Sequence, residues 1–127
     1  MGNMGSKKRL AGLALSLATA VFAGTPALAE TRCGWLFNPT PANWWLIDAD
    51  GEWTIGIQGG YQAPGMFDAP WKGAREQVQV NGSYGYECAC MVVTSDADTM
   101  TITRVISVRS KPLKACRDDP KLPSMGD

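Results

Sequence analysis

The stretch that decides the fold is YGYECACMVVT, residues 84–94. Side chains at every second position of an extended strand share one face. Here that face would carry Tyr84, Tyr86, Cys88, Cys90 and Val92. Residues 100–108, MTITRVISV, are also rich in Val, Ile and Thr, and the segment Ser95-Asp-Ala-Asp98 between the two runs favours a turn. The sequence therefore predicts a β-hairpin in the second half of the chain.

The four cysteines are an even number, which in a short chain from an oxidising compartment is typical of disulfides. Cys88 and Cys90 lie two residues apart, and on one strand their Cα atoms would be separated by about 6.5 Å, close to the limit for a direct bond. Cys33 and Cys116 are therefore expected to form disulfides with this strand from the two ends of the chain. Either of them could bond to Cys88 or to Cys90. A redox C-x-C pair and a soft copper site are the alternatives.

A second hairpin is predicted earlier in the chain, where apolar runs at 44–47 and 52–57 flank the turn sequence DADG. A two-residue Asp50-Gly51 loop, or any even-length loop on the same centre, predicts three opposed pairs: Trp44 with Ile57, Leu46 with Ile55, and Asp48 with Trp53. These six side chains share one face, which is expected to face the core. Trp45 would lie on the opposite face, across Gly56.

The remaining segments predict short elements and turns. Val78 and Val80 suggest a brief strand before the Asn81-Gly82 turn, and Ser110 is placed to cap a helical turn that ends at Cys116. Two further prolines predict a loose tail after about residue 120. The fold class is therefore all-β, or mainly β: a small disulfide-stabilised antiparallel sandwich or barrel with a short C-terminal helical turn.

Residues 1–29 have the pattern of a secretory signal peptide. Basic residues at 7–9 precede an uncharged apolar run at 10–23, and Ala27-Leu28-Ala29 forms an A-x-A site, so cleavage is predicted between Ala29 and Glu30. The fourteen apolar residues would span about 21 Å as a helix, too short for a membrane core of about 30 Å. The predicted organisation is a signal peptide, 1–29, and a single exported domain, 30–127, which is periplasmic or secreted and has no membrane span.

The composition excludes several kinds of chemistry. The chain contains no histidine, which excludes Ser-His-Asp and Cys-His catalysis and imidazole metal ligands. Nine basic and twelve acidic side chains follow the signal peptide, and the resulting net charge of −3 disfavours nucleic acid as a partner. No catalytic residue, metal site or cofactor is predicted, and a monomer is expected.

Several motifs resemble the signature blocks of a family of small exported bacterial proteins, domain of unknown function 4087. The blocks are Cys33-Gly-Trp35, Asn38-Pro-Thr-Pro41, Asn43-Trp-Trp-Leu46, Asp48-x-Asp-Gly51-x-Trp53-x-Ile55, Gln58-Gly-Gly-Tyr-Gln-Ala63, Tyr84-Gly-Tyr86, Cys88-Ala-Cys90 and Cys116-Arg-x-Asp119. The resemblance runs from Cys33 to about Pro123, and Glu87 stands where a small residue would be expected. The resemblance implies an exported, compact, disulfide-bonded protein, and it indicates no molecular activity.

Tryptophan is concentrated at residues 35–53, which hold four of the five in the chain. Adjacent Trp44 and Trp45 cannot face the same side of one strand, so one of them needs a second layer of protein or meets solvent. An exposed Trp45 near Tyr61 and Gln62 would form an aromatic platform beside amides, suited to a sugar ring or a protein partner. The predicted function is a non-catalytic binding module for an envelope protein or glycan. The candidate binding residues are Trp45, Tyr61, Gln62, Trp44 and Trp53.

Three other hypotheses compete with this one. The tryptophans would simply fill volume on both faces of a sheet in a purely structural envelope protein. Carboxylates among Asp48, Asp50, Asp96 and Asp98 would serve a small glycan hydrolase if two of them converged in a groove. The D-x-D-G pattern also resembles the start of a calcium loop, but position twelve is Gly59 where such a loop requires a bidentate Glu.

Overall fold

The computed structural model describes residues 2, 5, 11–19 and 27–126. About half of the predicted signal peptide lies outside the described residues, so its assignment stays a prediction. Within the described ranges, no helix is long and apolar enough to cross a membrane. The elements in chain order are β1 Glu30–Thr40, β2 Asn43–Asp48, β3 Gly51–Gly56, β4 Trp71–Lys72, β5 Gln77–Asn81, β6 Tyr84–Asp96, β7 Thr101–Lys111 and α1 Leu113–Arg117.

Five of the strands close into a small barrel. β1 lies between β2 and β6, β2 also pairs with β3, and β6 also pairs with β7, all antiparallel. The ring closes where Thr54 of β3 pairs with Thr101 of β7 in parallel. β4 and β5 extend the sheet beside β7 and β6. The predicted all-β fold with a short C-terminal helix is confirmed, except that the sheet contains parallel pairings.

The barrel interior holds the main hydrophobic core, because side chains alternate between the inside and the outside along each strand. The buried members are Leu36, Leu46, Trp53, Ile55, Ala63, Met66, Ala89, Met91, Val93, Ile102, Val105 and Val108. All five barrel strands contribute, and Ala63 and Met66 come from the connection between β3 and β4. This core is complete without the side chains that point outward.

The β2–β3 hairpin has a different register from the predicted one. Leu46 opposes Trp53 and Asp48 opposes Gly51, so Ala49 and Asp50 form the turn. The Asp48 carboxylate sets this turn by accepting the backbone N–H of Asp50 at 2.9 Å.

The shift of register leaves the faces of the hairpin as predicted. It moves the pairing by two residues, an even number, so Leu46, Trp53 and Ile55 still point inward and are buried. Ile57, which was also predicted to face the core, lies beyond the end of β3 and is 48% exposed.

The two disulfides are Cys33–Cys90, which joins β1 to β6, and Cys88–Cys116, which joins β6 to α1. The prediction that both chain ends bridge to the 84–94 strand is confirmed. The prediction that Ser110 caps the helical turn is wrong. Ser110 belongs to β7, and the first helical N–H, that of Leu113, is instead accepted by the Glu76 carboxylate at 2.9 Å.

Arg32 closes the end of the barrel at which β1 begins. Its guanidinium lies 3.8 Å from the ring centre of Trp53 and donates to Asp48 at 2.9 Å, Asp50 at 3.0 Å and Glu30 at 3.1 Å. Partial burial alone would lower the pKa of Arg32, but the hydrogen bonds to the three carboxylates outweigh it and raise the pKa. The guanidinium therefore remains charged and holds the β2–β3 turn against β1.

A second arginine closes the opposite end. Glu87 is 3% exposed, and Arg75 forms a bidentate pair with it at 3.1 and 2.6 Å while lying 4.1 Å from the ring centre of Trp71. This ion pair explains why a carboxylate is tolerated where a small residue was expected.

Gly34 provides the first test of the fold. A Cβ at this position would collide with the backbone carbonyl of Ile47 on the neighbouring strand, which cannot move without opening the barrel. We expect Gly34→Ala to destabilise the domain by about 3 kcal/mol or more, as overpacking against backbone does. The control is Gly60→Ala, where an added Cβ would make only ordinary van der Waals contacts. Urea unfolding of the two variants compares their free energies of unfolding. Equal midpoints for the two variants would contradict the strand packing described above.

Candidate aromatic binding surface

The outside of the barrel carries aromatic side chains on three neighbouring strands. Paired residues share a face, and the register places Phe37 of β1 opposite both Trp45 of β2 and Tyr86 of β6. Trp35, two residues before Phe37, points to the same side and meets Tyr86 edge to face, with ring centres 5.3 Å apart. We call these four side chains, Trp45, Phe37, Tyr86 and Trp35, the outer aromatic face.

The two adjacent tryptophans point in opposite directions, as their spacing predicts. Trp44 is half-buried and packs against the main core, and a bulge separates it from Trp45. Trp45 lies outside, half-buried, with the ring of Phe37 centred 6.3 Å away. Trp45 is therefore at one end of the outer aromatic face.

The C-terminal tail covers the other end of this face. The indole N–H of Trp35 donates to the carbonyl of Pro123 at 2.9 Å, and Leu122 and Met125 pack against the cluster around Trp35 and Tyr86. This differs from the predicted loose tail, because the prolines interrupt regular structure without preventing these apolar contacts. A cavity of about 270 Å³ remains between tail and sheet, and Arg117 and Asp119 line it with the two aromatic rings.

Two other predicted binding residues, Tyr61 and Gln62, form hydrogen bonds with backbone carbonyls of the domain. Tyr61 is 43% exposed, but its hydroxyl donates to the carbonyl of Ile102 at 2.8 Å. The Gln62 amide donates to the carbonyls of Ala42 and Ile57, and its side chain, rather than that of Trp45, lies against Gly56.

Trp53 is buried inside the barrel, where its indole N–H donates to Asp48 at 3.0 Å. Of the five predicted residues, Trp45 and Tyr61 thus keep the most direct access to a partner.

The carboxylates considered for catalysis are held in turns. Asp48 is 7% exposed and accepts hydrogen bonds from Arg32, Trp53 and the backbone of Asp50. Asp96 accepts the backbone N–H of Asp98 at 3.0 Å in the β6–β7 turn. Within the ranges that the structure describes, no group of His, Cys, Asp or Glu side chains is arranged to hold a metal ion.

A family model described as a protein of unknown function, DUF4087, matches residues 27–123. The chain belongs to the DUF4087 family. The match covers both hairpins, both disulfides and the outer aromatic face, so the resemblance predicted from the sequence motifs is confirmed. No curated protein and no solved structure matches this DUF4087 chain.

Trp35, Phe37 and Tyr86 were not among the binding residues predicted from the sequence. The signal was present in the spacings Trp35-x-Phe37 and Tyr84-x-Tyr86, which place aromatic rings at every second position. The pairing of β1 with β6 brings Tyr86 beside Phe37 from a distant part of the chain, and no local pattern specifies that pairing.

Proposed function

We propose that this DUF4087 chain is an exported, non-catalytic binding module of the bacterial envelope, which recognises a glycan through its outer aromatic face. The observation that carries the proposal is the position of the aromatic rings. The rings of Trp45 and Phe37 are half-buried on the outside of the barrel, whereas Trp35 and Tyr86 are only 2% and 4% exposed beneath the tail, and Trp45 lies outside the cluster that the tail covers. Aromatic rings presented in this way stack on the apolar faces of sugar rings.

The cavity beside this face supports a glycan as the partner. Its lining combines the rings of Trp35 and Tyr86 with the charged side chains of Arg117 and Asp119. Binding sites of this kind combine apolar walls with a few polar groups that fix orientation. A sugar bound at Trp45 and Phe37 would extend along the face toward that cavity.

A protein partner is the second candidate, and a different observation favours it. The connection between β3 and β4 exposes three apolar side chains: Ile57, Tyr61 and Phe67, the last 71% exposed. Exposed apolar groups gathered on one segment mark many protein-interaction sites.

Export is part of the proposal. Two disulfides are typical of an oxidising compartment, and β1 begins at Glu30, the first residue after the predicted cleavage site. Cleavage between Ala29 and Glu30 would release a periplasmic or secreted domain with its first strand intact. Mass spectrometry of the exported protein, which should begin at Glu30, tests this step.

Trp45→Ala tests the binding function. We expect it to weaken capture of soluble envelope glycan fragments at least about tenfold, because a stacked aromatic anchor carries a large share of such binding energy. Cooperative unfolding should persist, since Trp45 lies outside the main core. The matched control is Val80→Ala, an exposed apolar residue on β5. Unchanged affinity in Trp45→Ala would refute the glycan proposal. Capture of an envelope protein that Phe67→Ala loses and Trp45→Ala keeps would favour the protein partner.

A further inference from the structure

A second surface of the barrel carries an open groove of about 350 Å³ on the outside of β1, β6 and β7. Its lining includes Arg109 and Lys111 from β7 and the hydroxyl residues Thr31 and Ser107 from β1 and β7. The groove shares no lining residue with the outer aromatic face.

The sheet register places two cations in this groove and a third beside it. Arg109 and Lys111 are two residues apart on β7 and therefore point to the same side. On the other side of β7, Lys72 of β4 pairs directly with Arg109. Thr31 and Ser107 are both opposite Val92, so their hydroxyls lie on the same face at the far end of the groove.

These cations have no carboxylate partner among the residues that the structure describes. The ion pairs there are made by Arg32, Arg75 and Lys114. Like charges placed directly opposite each other on neighbouring strands destabilise a sheet, as Lys72 and Arg109 do here. Positive charge without a carboxylate partner among the described residues therefore lies at and beside this groove, although the net charge of residues 30–127 is −3.

We infer that this groove binds a phosphoryl group, independently of the glycan proposal. The arginine fork can donate to two oxygens, the Lys111 ammonium supplies compact charge with Lys72 on the neighbouring strand, and the hydroxyls can donate to the remaining oxygens. A tetrahedral dianion matches this set of donors better than a planar carboxylate, which has two oxygens and one charge. Phosphate esters of a soluble polymer and phosphomonoester lipid headgroups share this chemistry.

The test measures the melting temperature of the mature chain with inorganic phosphate or with sodium chloride at equal ionic strength. Phosphate at ten times its Kd should raise the melting temperature by about 7 °C. The variant Arg109→Gln/Lys111→Gln should fold and lose this response, whereas Arg104→Gln, an exposed arginine elsewhere on β7, should keep it. Equal responses to phosphate and chloride, or a full response in the double variant, would overturn the inference.

Vesicles containing phosphatidic acid distinguish the two sources of the phosphoryl group. Cosedimentation that the double variant loses would support a lipid headgroup. A phosphate response without cosedimentation would support a soluble phosphate ester.

Discussion

Replacing Arg32 by methionine is expected to destabilise the domain by about 3–5 kcal/mol, because it leaves a buried carboxylate without its cation. Asp48 is 7% exposed, and its carboxylate forms an ion pair with Arg32. The substitution also removes the guanidinium stacked on Trp53 at 3.8 Å. Urea unfolding with the disulfides intact measures the loss.

Two further variants separate the charge effect from the loss of packing. Arg104→Met removes an exposed arginine from β7 and should change stability by less than about 0.5 kcal/mol. In the Asp48→Asn background, Arg32→Met should have a smaller effect, because the buried partner is then neutral. An Arg32→Met variant as stable as Arg104→Met would show that the arginine does not hold the turn.

Removing both disulfides is expected to unfold the domain. The sequence separations are 57 residues for Cys33–Cys90 and 28 for Cys88–Cys116. In the chain-entropy model, loops of these lengths contribute about 4 and about 3.5 kcal/mol. Their sum is comparable to the whole stability of a small domain, about 5–15 kcal/mol. Far-ultraviolet circular dichroism with and without a reducing agent measures the effect.

Single disulfide variants should behave differently from each other. Cys33→Ala/Cys90→Ala removes a bridge between strands that stay paired, so the tail should remain on Trp35. Cys88→Ala/Cys116→Ala releases α1, and the hydrogen bond from Trp35 to Pro123 should be lost with it. A reduced wild-type chain that keeps its cooperative transition at an unchanged temperature would contradict this account.

The two predicted hairpins were predictable because they depend on local patterns. That Cys33 and Cys116 bridge to the 84–94 strand was also predictable, but which of Cys88 and Cys90 each bonds to was not, since the partners lie 57 and 28 residues apart. Period-two spacing identified the strand with Cys88 and Cys90, and an even shift of register preserved the faces of the β2–β3 hairpin. The register itself was mispredicted, because the Asp48 side chain rather than the Asp50-Gly51 pair defines the turn.

The central strand and the closure of the barrel were harder to predict. In β1, residues 34–36 are buried in succession, since the tail covers the outside of the strand as the core covers the inside. That double burial removes the alternation by which a strand is recognised. The Thr54–Thr101 junction and the docking of Leu122 and Met125 join segments distant in the chain, so neither left a local signal.

The candidate site was predictable in part. The opposed directions of Trp44 and Trp45 follow from strand geometry alone. The role of Gln62 could not be predicted in this way. Its amide donates to the carbonyls of Ala42 and Ile57, and the sequence does not show that these carbonyls lie beside it. Burial of Trp53 follows from its position on the inward face.

The most direct test of the proposed glycan-binding face is a ¹H–¹⁵N spectrum of the tryptophan indoles in residues 30–127, titrated with soluble envelope glycan fragments. All five tryptophans of the chain lie in this domain, so each gives one signal. The Trp45 signal should shift in a saturable manner. The signals of Trp53 and Trp71, whose N–H groups donate to Asp48 and Ser110, should stay in place. A Trp45 signal that does not move, or one that moves no more than those of Trp53 and Trp71, would contradict the account.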